Sequence, residues 1–293
     1  MTRAGIVTVA GKPNAGKSTL LNRVMGEKLA IVSHKPQSTR DRVVGIHSAG
    51  DVQMIIYDTP GLLNPRYALQ RSMRAAALEA LADADAIIHV ADVTEGPPPE
   101  LITSAGIERP PPAPVLLALN KADTLSDAQR ARLRTEHPDA FLISAVSGEG
   151  VDELIAAAAS HLPESPFLYP DDEISTHTVR FFVSEMIRET ALEQLEDEVP
   201  YSVACEIEEY REDRVPLYIR AVIFVERDSQ KGILIGAKGQ RLRDIGRQAR
   251  LKIEAFTDAR VYLDLWVKVL PNWRRNERSL KRFGYQVPDS PSP

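Results

Sequence analysis

The stretch Gly11-Lys12-Pro13-Asn14-Ala15-Gly16-Lys17-Ser18 decides the reading of the first half of the chain. Its spacing is G-x-x-x-x-G-K-[ST], the phosphate-binding loop. Apolar Ile6-Val7-Thr8-Val9-Ala10 precedes it as a strand, and Ser18-Thr19-Leu20-Leu21-Asn22-Arg23-Val24-Met25 follows with helical character. Gly11 and Gly16 let backbone N–H groups curl round phosphate oxygens, and the new helix aims its positive end at the same anion. Lys17 adds a point charge near the β- and γ-phosphates, and Ser18 offers a hydroxyl to Mg²⁺. Every residue from Gly11 through Ser18, and Thr19 after it, is therefore a candidate nucleotide contact. A chance glycine-rich turn is the alternative, and the rest of the chain has to decide.

The alternation continues. Strands are expected near Ile6–Ala10, Val43–Ser48, Val52–Tyr57, Ile87–Asp92, Val115–Leu119 and Phe141–Ile143. Helices are expected near Lys17–Met25, Leu69–Leu81, Asp127–Glu136 and Val151–His161. This order indicates an α/β domain with a doubly wound, mostly parallel sheet, whose ligands bind at the carboxyl ends of strands. The prolines at 97–99 and 110–112 read as stiff loop edges that shorten one crossover helix.

Three further motifs fall at strand ends. Asp58-Thr59-Pro60-Gly61 follows Met54-Ile55-Ile56-Tyr57. An Asp in that place holds Mg²⁺, usually through water, and Gly61 can swing its N–H toward a γ-phosphate. A plain Pro-Gly turn is the alternative. Asn120-Lys121-Ala122-Asp123 follows Val115–Leu119. A carboxylate at Asp123 can accept both the N1–H and 2-amino donors of guanine. Adenine would leave it unpaired, at a cost of roughly 1–3 kcal/mol. A helix-capping Asp is the alternative. Ser144-Ala145, after the next strand, could complete a base pocket through backbone N–H groups.

This order of motifs resembles the translation-factor class of GTPases. In such proteins Lys35-Pro36-Gln37-Ser38-Thr39-Arg40-Asp41 would be switch I. Thr39, with Ser38 as its rival, would reach Mg²⁺ and the γ-phosphate. GTPases of the Ras type carry a water-orienting glutamine immediately after the Asp-x-x-Gly glycine. Here that position is Leu62, which cannot orient water by hydrogen bonding, so slow intrinsic hydrolysis is expected. Asn14 resembles the loop asparagine of GTPases that bind K⁺ beside the phosphates. Holding the loop backbone is its other reading. Lys17, Thr39 and Gly61 are the catalytic candidates.

At 293 residues the chain has room for about two domains. With 43% hydrophobic and 26% charged residues it reads as an ordinary globular chain. Its single cysteine, Cys205, excludes an intramolecular disulfide, and no Cys/His spacing suits a metal. The N-terminus leads straight into a strand without a signal peptide, and no apolar run approaches membrane-spanning length, so a reducing cytosol is expected. The formal net charge of −5 argues against a uniformly basic nucleic-acid binder. The charge is not uniform. Residues 185–213 hold 11 acidic and 2 basic residues, whereas residues 231–282 hold 14 basic and 5 acidic. Such a basic half-domain is the footprint of phosphate-backbone binding, with a solvated charged face as the alternative.

Within the basic half, Gly236-Ala237-Lys238-Gly239 stands between two helical pieces. This is the GXXG loop of a KH domain, which clamps about four nucleotides of a single strand. Lys231, Gly232, Ile235, Gly236, Ala237, Lys238, Gly239, Arg241 and Arg247 are the candidate RNA contacts. Ile233, Leu234, Ile235, Leu242, Ile245 and Ala249 would supply core and groove floor. A helix over Thr176–Leu195, paired strands over Tyr201–Tyr210 and Leu217–Glu226, and a third strand over Val261–Val269 give the order of a type II, α+β KH domain. Trp266 is expected in the core. Trp273 either stacks a base or packs in the tail. The expected boundaries are a GTP-binding domain over 1–165, a Pro-rich linker over 166–174, a KH domain over 175–285 and a flexible tail over 286–293.

A GTPase domain joined to a KH domain, with Lys35-Pro36-Gln37-Ser38-Thr39-Arg40, Val225-Glu226-Arg227-Asp228-Ser229-Gln230-Lys231-Gly232 and Phe283-Gly284-Tyr285, is similar to the Era family of bacterial GTPases along nearly the whole chain. The resemblance implies GTP/GDP and Mg²⁺ as ligands. It also implies a role in ribosome assembly, with the small ribosomal subunit as partner and the 3′ end of its single-stranded RNA held by the KH domain. A cytoplasmic monomer with some peripheral contact at the inner face of the cell membrane is expected. Ala15 stands where a valine is usual, and Ala237 where the side chain is often basic, which weakens the expected RNA grip. A GTPase of transfer-RNA modification and a P-loop kinase or ATPase are the alternatives. Asp123 disfavours the second, and the cysteine-free end of the chain disfavours the first.

Overall fold

The computed structural model describes residues 1–288, so residues 289–293 of the expected tail lie outside the described residues. Met1–Arg66 and Gln70–Thr176 form one compact unit; Tyr67–Leu69 and the chain from His177 form another.

In the first unit β1 (Arg3–Ala10) leads into α1 (Lys17–Met25), β2 (Val43–Ala49), β3 (Val52–Asp58), α2 (Ala68–Ala82), β4 (Ala86–Asp92), α3 (Leu101–Ala105), β5 (Val115–Asn120), α4 (Asp127–Glu136), β6 (Phe141–Leu142) and α5 (Val151–Ser160). The sheet order is β2-β3-β1-β4-β5-β6. Every pair is parallel except β2–β3, a hairpin turned by Gly50-Asp51. Strands covered on both faces are near-continuous apolar runs, and all seven residues of β4 are buried, His89 and Asp92 among them. Ile87 and Ile88, fully withdrawn from water, each contribute about 1.5–3 kcal/mol. The prolines confine α3 to five residues, which pack Leu101 and Ala105 against Leu62, Ala77, Leu81 and Ile87.

The segment after α5 does not hang free. The side chain of Gln53 accepts the N–H groups of Leu168 (2.8 Å) and Tyr169 (3.0 Å) and donates to the Tyr169 carbonyl (2.9 Å). Farther on, Ile174 accepts from the N–H of Ile46 on the edge strand β2. An edge otherwise open to another chain is thus partly closed by the protein's own backbone.

The second unit runs α6 (Val179–Gln194), α7 (Val199–Ser202), β7 (Ala204–Arg211), β8 (Leu217–Val225), α8 (Asp228–Ile235), α9 (Gln240–Thr257), β9 (Val261–Val269) and α10 (Glu277–Arg282). β7 and β8 are antiparallel; β8 and β9 are parallel and bridged by α8 and α9. Helix α9 turns Ile245, Ala249 and Ile253 inward on one stripe. The expected strand start at Tyr201 is wrong. Pro200 has no N–H for a ladder but suits the first turn of a helix, so Tyr201 and Ser202 belong to α7. Trp266 is also not in the core. Alternation along β9 puts it with Tyr262 and Lys268 on the uncovered face, and it is 54% exposed. Trp273 is the packed tail aromatic: it is fully buried, donates to the Ser202 carbonyl (2.8 Å) and stands edge-on to Phe283.

The acidic and basic stretches of this unit meet each other. Lys252 binds Glu189 and Glu193, Lys268 binds Glu208, Arg274 binds Glu226 and Arg282 binds Glu206. Part of the positive charge counted in the sequence is therefore neutralised within the unit.

His89 on β4 gives the first unit an acid-sensitive element. Burial, reinforced by the charge of Lys17, lowers its pKa from 6.5 to about 4. The unfolded chain binds this proton more readily than the folded one. Stability from neutral His89 is thus complete above about pH 6.5 and lost as pH falls toward 4, by up to about 3 kcal/mol. His89→Leu should flatten that loss. The check is urea unfolding at pH 7 and pH 5, followed through hydrogen exchange of the β4 amides. Equal acid sensitivity in both proteins would exclude His89 as its source.

Candidate functional site

The carboxyl ends of β1, β3, β4 and β5 lie side by side, and the loops after β1, β3, β5 and β6, with the segment after α1, surround a cavity of about 440 Å³. Pro13, Asn14, Gly16, Lys17, Ser18 and Thr19 form one wall. Gln37, Ser38, Thr39 and Gly61 border it on the phosphate side, and Asn120, Lys121, Asp123, Thr124, Ala145 and Val146 line the rest with Ile31, Val32, Ser33 and His34.

At one end Lys17 is buried, and its ammonium donates to the carbonyls of Gly11 (3.1 Å) and Lys12 (2.8 Å). Burial lowers its pKa to about 8, against the pull of Asp58. Burial raises Asp58 to about 6, opposed by Lys17 and by hydrogen bonds from Ser18 and Thr39. One Asp58 oxygen accepts from the Ser18 hydroxyl (2.6 Å) and the Thr39 hydroxyl (3.5 Å), and those two hydroxyls lie 2.9 Å apart. The other oxygen, Oδ1, is buried with no hydrogen-bond partner among the described residues. A buried carboxylate oxygen left unpaired is costly and calls for a cation or an ordered donor. Two hydroxyls and one carboxylate are hard oxygen ligands, the set Mg²⁺ takes alongside substrate phosphates. The residues present therefore fit that ion.

Close packing fixes the neighbouring backbone. A Cβ at Gly61 would stand 2.6–2.7 Å from Pro13, so only glycine lets this turn lie against the phosphate loop. The Leu62 N–H donates to the Gly11 carbonyl (3.0 Å), while its side chain joins the core. Asn14 adopts φ 62 and donates its amide to the His34 carbonyl (2.9 Å).

At the other end Asn120 reaches in two directions. Its amide nitrogen donates to the Ala15 carbonyl (2.8 Å), and its amide oxygen accepts the Ala145 N–H (2.9 Å). Arg23 on α1 donates to the carbonyls of Ala145 and Val146 and so anchors the base-side loop from behind. Asp123 is exposed at the cavity.

Not every candidate reaches the cavity. Gly11, Lys12, Ala15, Asp58, Thr59, Pro60, Leu62 and Ser144 do not line it. Thr59 spends its hydroxyl on the Val9 carbonyl, and Ser144 accepts the Ser147 N–H within its own loop. Conversely, Ile31–His34 and Val146 line the cavity without a sequence signal. The one clue is Asn22. Its side chain accepts the N–H groups of Leu29 and Ala30 and donates to the Ala30 carbonyl, which shapes the turn leading to Ile31.

In the second unit Gly236 ends α8 at φ 72, where a Cβ would lie 2.8 Å from Arg241. Lys238 takes φ 52, and Gly239 at φ 75 caps α9. Ala237, Lys238, Arg241 and Arg247 are exposed, while Lys231 and Ile235 are half-buried. Gly232 is open to solvent, and the Arg241 guanidinium donates to the Ile233 carbonyl (2.7 Å). Leu234, Ile245 and Ala249 are fully buried; Ile233, expected in core or groove floor, is 44% exposed beside the loop.

Gly16→Ala tests the packing around Asn120. Gly16 adopts φ +98, and a Cβ there would meet the Asn120 amide nitrogen at 2.1 Å. The substitution should displace Asn120, destabilise the first unit by roughly 2 kcal/mol or more, and lower GDP affinity. Thermal unfolding and equilibrium binding of GDP check both effects. Unchanged affinity would mean that the Asn120 contacts do not shape the cavity.

The family described as 50S ribosome-binding GTPase matches residues 6–121, and the KH-domain family matches residues 198–274. GTPase Era of Ectopseudomonas mendocina is 42% identical over 97% of this chain and 98% of its own length. GTPase Era of Pseudomonas syringae pv. tomato is 42% identical over 97% of both. Two crystal structures are similar throughout, each at 38% identity and TM-score 0.90, covering 98% of this chain and 100% of theirs. One is Era in complex with MgGDPNP and nucleotides 1506–1542 of 16S ribosomal RNA; the other is a variant of Aquifex aeolicus Era bound to GDP·AlF4⁻. At that identity, over nearly the full length of both partners and through both units, the chain belongs to the Era family of GTPases.

Proposed function

We propose that this GTPase is a nucleotide-controlled switch that grips the single-stranded 3′ end of small-subunit ribosomal RNA during assembly of that subunit. What carries the nucleotide half is the cluster of Ser18, Thr39 and the orphaned Asp58 oxygen beside buried Lys17. The RNA half is supported by the exposed GXXG loop and by the relative whose crystal structure holds 16S ribosomal RNA.

Residues 1–165 would be the GTP-binding domain, 166–174 the linker and 175–285 the KH domain. Residues 11–19 would wrap the phosphates, through the backbone N–H groups of all but Pro13. Lys17 would exchange its two carbonyl acceptors for β- and γ-phosphate oxygens. Ser18 and Thr39 would hold Mg²⁺ directly, with Asp58 behind them through water. When bound, that ion neutralises charge growing on the phosphates during transfer to water. Gly61 would offer its N–H to the γ-phosphate, with Thr59, Pro60 and Leu62 fixing the turn around it. Leu62 provides no hydrogen bond to an attacking water, in keeping with slow intrinsic turnover. Asn14 gives its amide nitrogen to His34, and its amide oxygen, unbonded to protein among the described residues, is a candidate ligand for K⁺. Asp123 would select guanine, with Lys121, Ser144 and Ala145 around the base. No observation favours the transfer-RNA modification or kinase readings.

In the KH domain Lys231, Lys238, Arg241 and Arg247 would meet phosphates. Gly232, Gly236 and Gly239, with Ala237, would allow close approach of the RNA backbone, and Ile235 would contact a base. The proposed setting is the bacterial cytoplasm, with a monomer that touches the inner face of the cell membrane peripherally. Among the described residues no helix is long and apolar enough to cross a membrane.

Lys17→Ala should abolish measurable GTP and GDP binding in a calorimetric titration; retained tight affinity would refute the phosphate-loop assignment. Gly236→Asp with Gly239→Asp should place two negative charges against the RNA backbone. Binding to a short strand carrying the 3′ sequence of small-subunit RNA should fall by at least about tenfold relative to the parent chain. Titrating the same strand with GTP analogue, GDP and no nucleotide tests the switch. Affinity that ignores the nucleotide would leave two independent modules.

A further inference from the structure

We propose that Asp92 is a positioning residue for the guanine end of the site, holding Lys121 as a fixed wall of the base pocket. The inference rests on the GTP-binding reading of the cavity.

Asp92 closes β4 in register with Asn120, which closes β5. Its carboxylate therefore stands beside the base-side loop, and its side chain is only 5% exposed. One oxygen accepts the Thr94 N–H (2.9 Å) and the Thr94 hydroxyl (2.6 Å), and the other accepts from the ammonium of Lys121. Burial pushes the carboxyl up, but the bonds from Lys121 and Thr94 outweigh it and hold the group below its ordinary range. The acceptor is therefore ionised and fully coordinated at neutral pH.

Lys121 itself is unusual. Its backbone adopts φ 71, a left-handed conformation that a lysine rarely takes and that surrounding structure must impose. It lines the cavity beside Asp123 and Thr124. A free lysine has four rotatable bonds and would sweep this volume. Pinned at its head by Asp92, it presents its aliphatic stem as a fixed apolar surface against which a flat purine can pack. The short 3-10 turn that Asp92 caps, Val93–Glu95, also carries Glu95 to within 3.9 Å of Lys12 in the phosphate loop. One turn thus touches a lysine on each side of the site. Neither Asp92 nor Thr94 lines the cavity, so Asp92 acts through Lys121 and not on the ligand.

The test is a double-substitution cycle on the full chain with Asp92→Ala, Lys121→Met and both together, titrated with GDP and separately with inorganic pyrophosphate. Asp92→Ala should weaken GDP roughly 10- to 100-fold, the range set by loss of a charged hydrogen bond. Pyrophosphate affinity should hold, because it lacks a base. The double variant should bind GDP no worse than Lys121→Met alone. Wild-type GDP affinity in the Asp92→Ala chain, equal weakening toward pyrophosphate, or losses that add in the double variant would each overturn the inference. Asp92→Asn keeps the volume and the Thr94 bonds; should the alanine chain fail to fold, it is judged by the same three outcomes. If the unsubstituted chain does not bind GDP, the nucleotide assignment falls and takes the inference with it. If the unsubstituted chain binds GDP and one of the three overturning outcomes is seen, the inference alone falls.

Discussion

One side chain amide, that of Asn120, holds the nucleotide side of the molecule together. It is buried, it donates to the backbone of the phosphate loop at Ala15, and it accepts from the backbone of the base-side loop at Ala145. Neither loop belongs to a strand or helix at those points, so no ladder sets the distance between them. Replacing the amide would strand a carbonyl and an N–H in a dry environment, at about 1–3 kcal/mol for each. The glycine at Gly16 follows from the same constraint, since a side chain there would collide with Asn120.

Around that staple the charges are arranged to stay uncomfortable until a ligand arrives. Lys17 makes do with two neutral carbonyls, and burial makes its proton easier to lose. Asp58 has one oxygen satisfied by hydroxyls and one with no hydrogen-bond partner among the described residues. A phosphate with its cation would relieve both at once, which is the general logic of a preorganised site. Lys121, by contrast, is already matched to Asp92 and takes part as a fixed surface.

What could be read from the sequence was what chemistry ties to fixed spacing. The phosphate loop, the Asp58–Gly61 turn, the Asn120–Asp123 stretch and the GXXG loop each need certain residue types at certain intervals, so they announce themselves. Strand and helix order was legible for a similar reason, because β4 and β5 are apolar runs bounded by turn residues. Contacts made between distant residues were not. Nothing local marks Gln53 as the clamp for Leu168 and Tyr169, or Arg23 as the anchor of Ala145 and Val146. Trp266 was misplaced because alternation along β9 defines two faces without saying which one the helices cover. Tyr201 and Ser202 fall outside β7 because they complete the helical turn that contains Pro200, and nothing in those two residues alone separates them from the strand that follows at Ala204.

The ion pairs that join the acidic and basic stretches of the second unit bear on how it should answer to salt. Lys252, Lys268, Arg274 and Arg282 already have carboxylates as their counter-charges. They would release few condensed ions on meeting a polyanion. A single strand loses about 0.7 of a counterion for each phosphate neutralised. The salt slope of binding should therefore fall short of the 14 basic residues of the stretch, because the charge of four of them is already met within the unit. Toward ionic strength the unit counts as less cationic than its sequence.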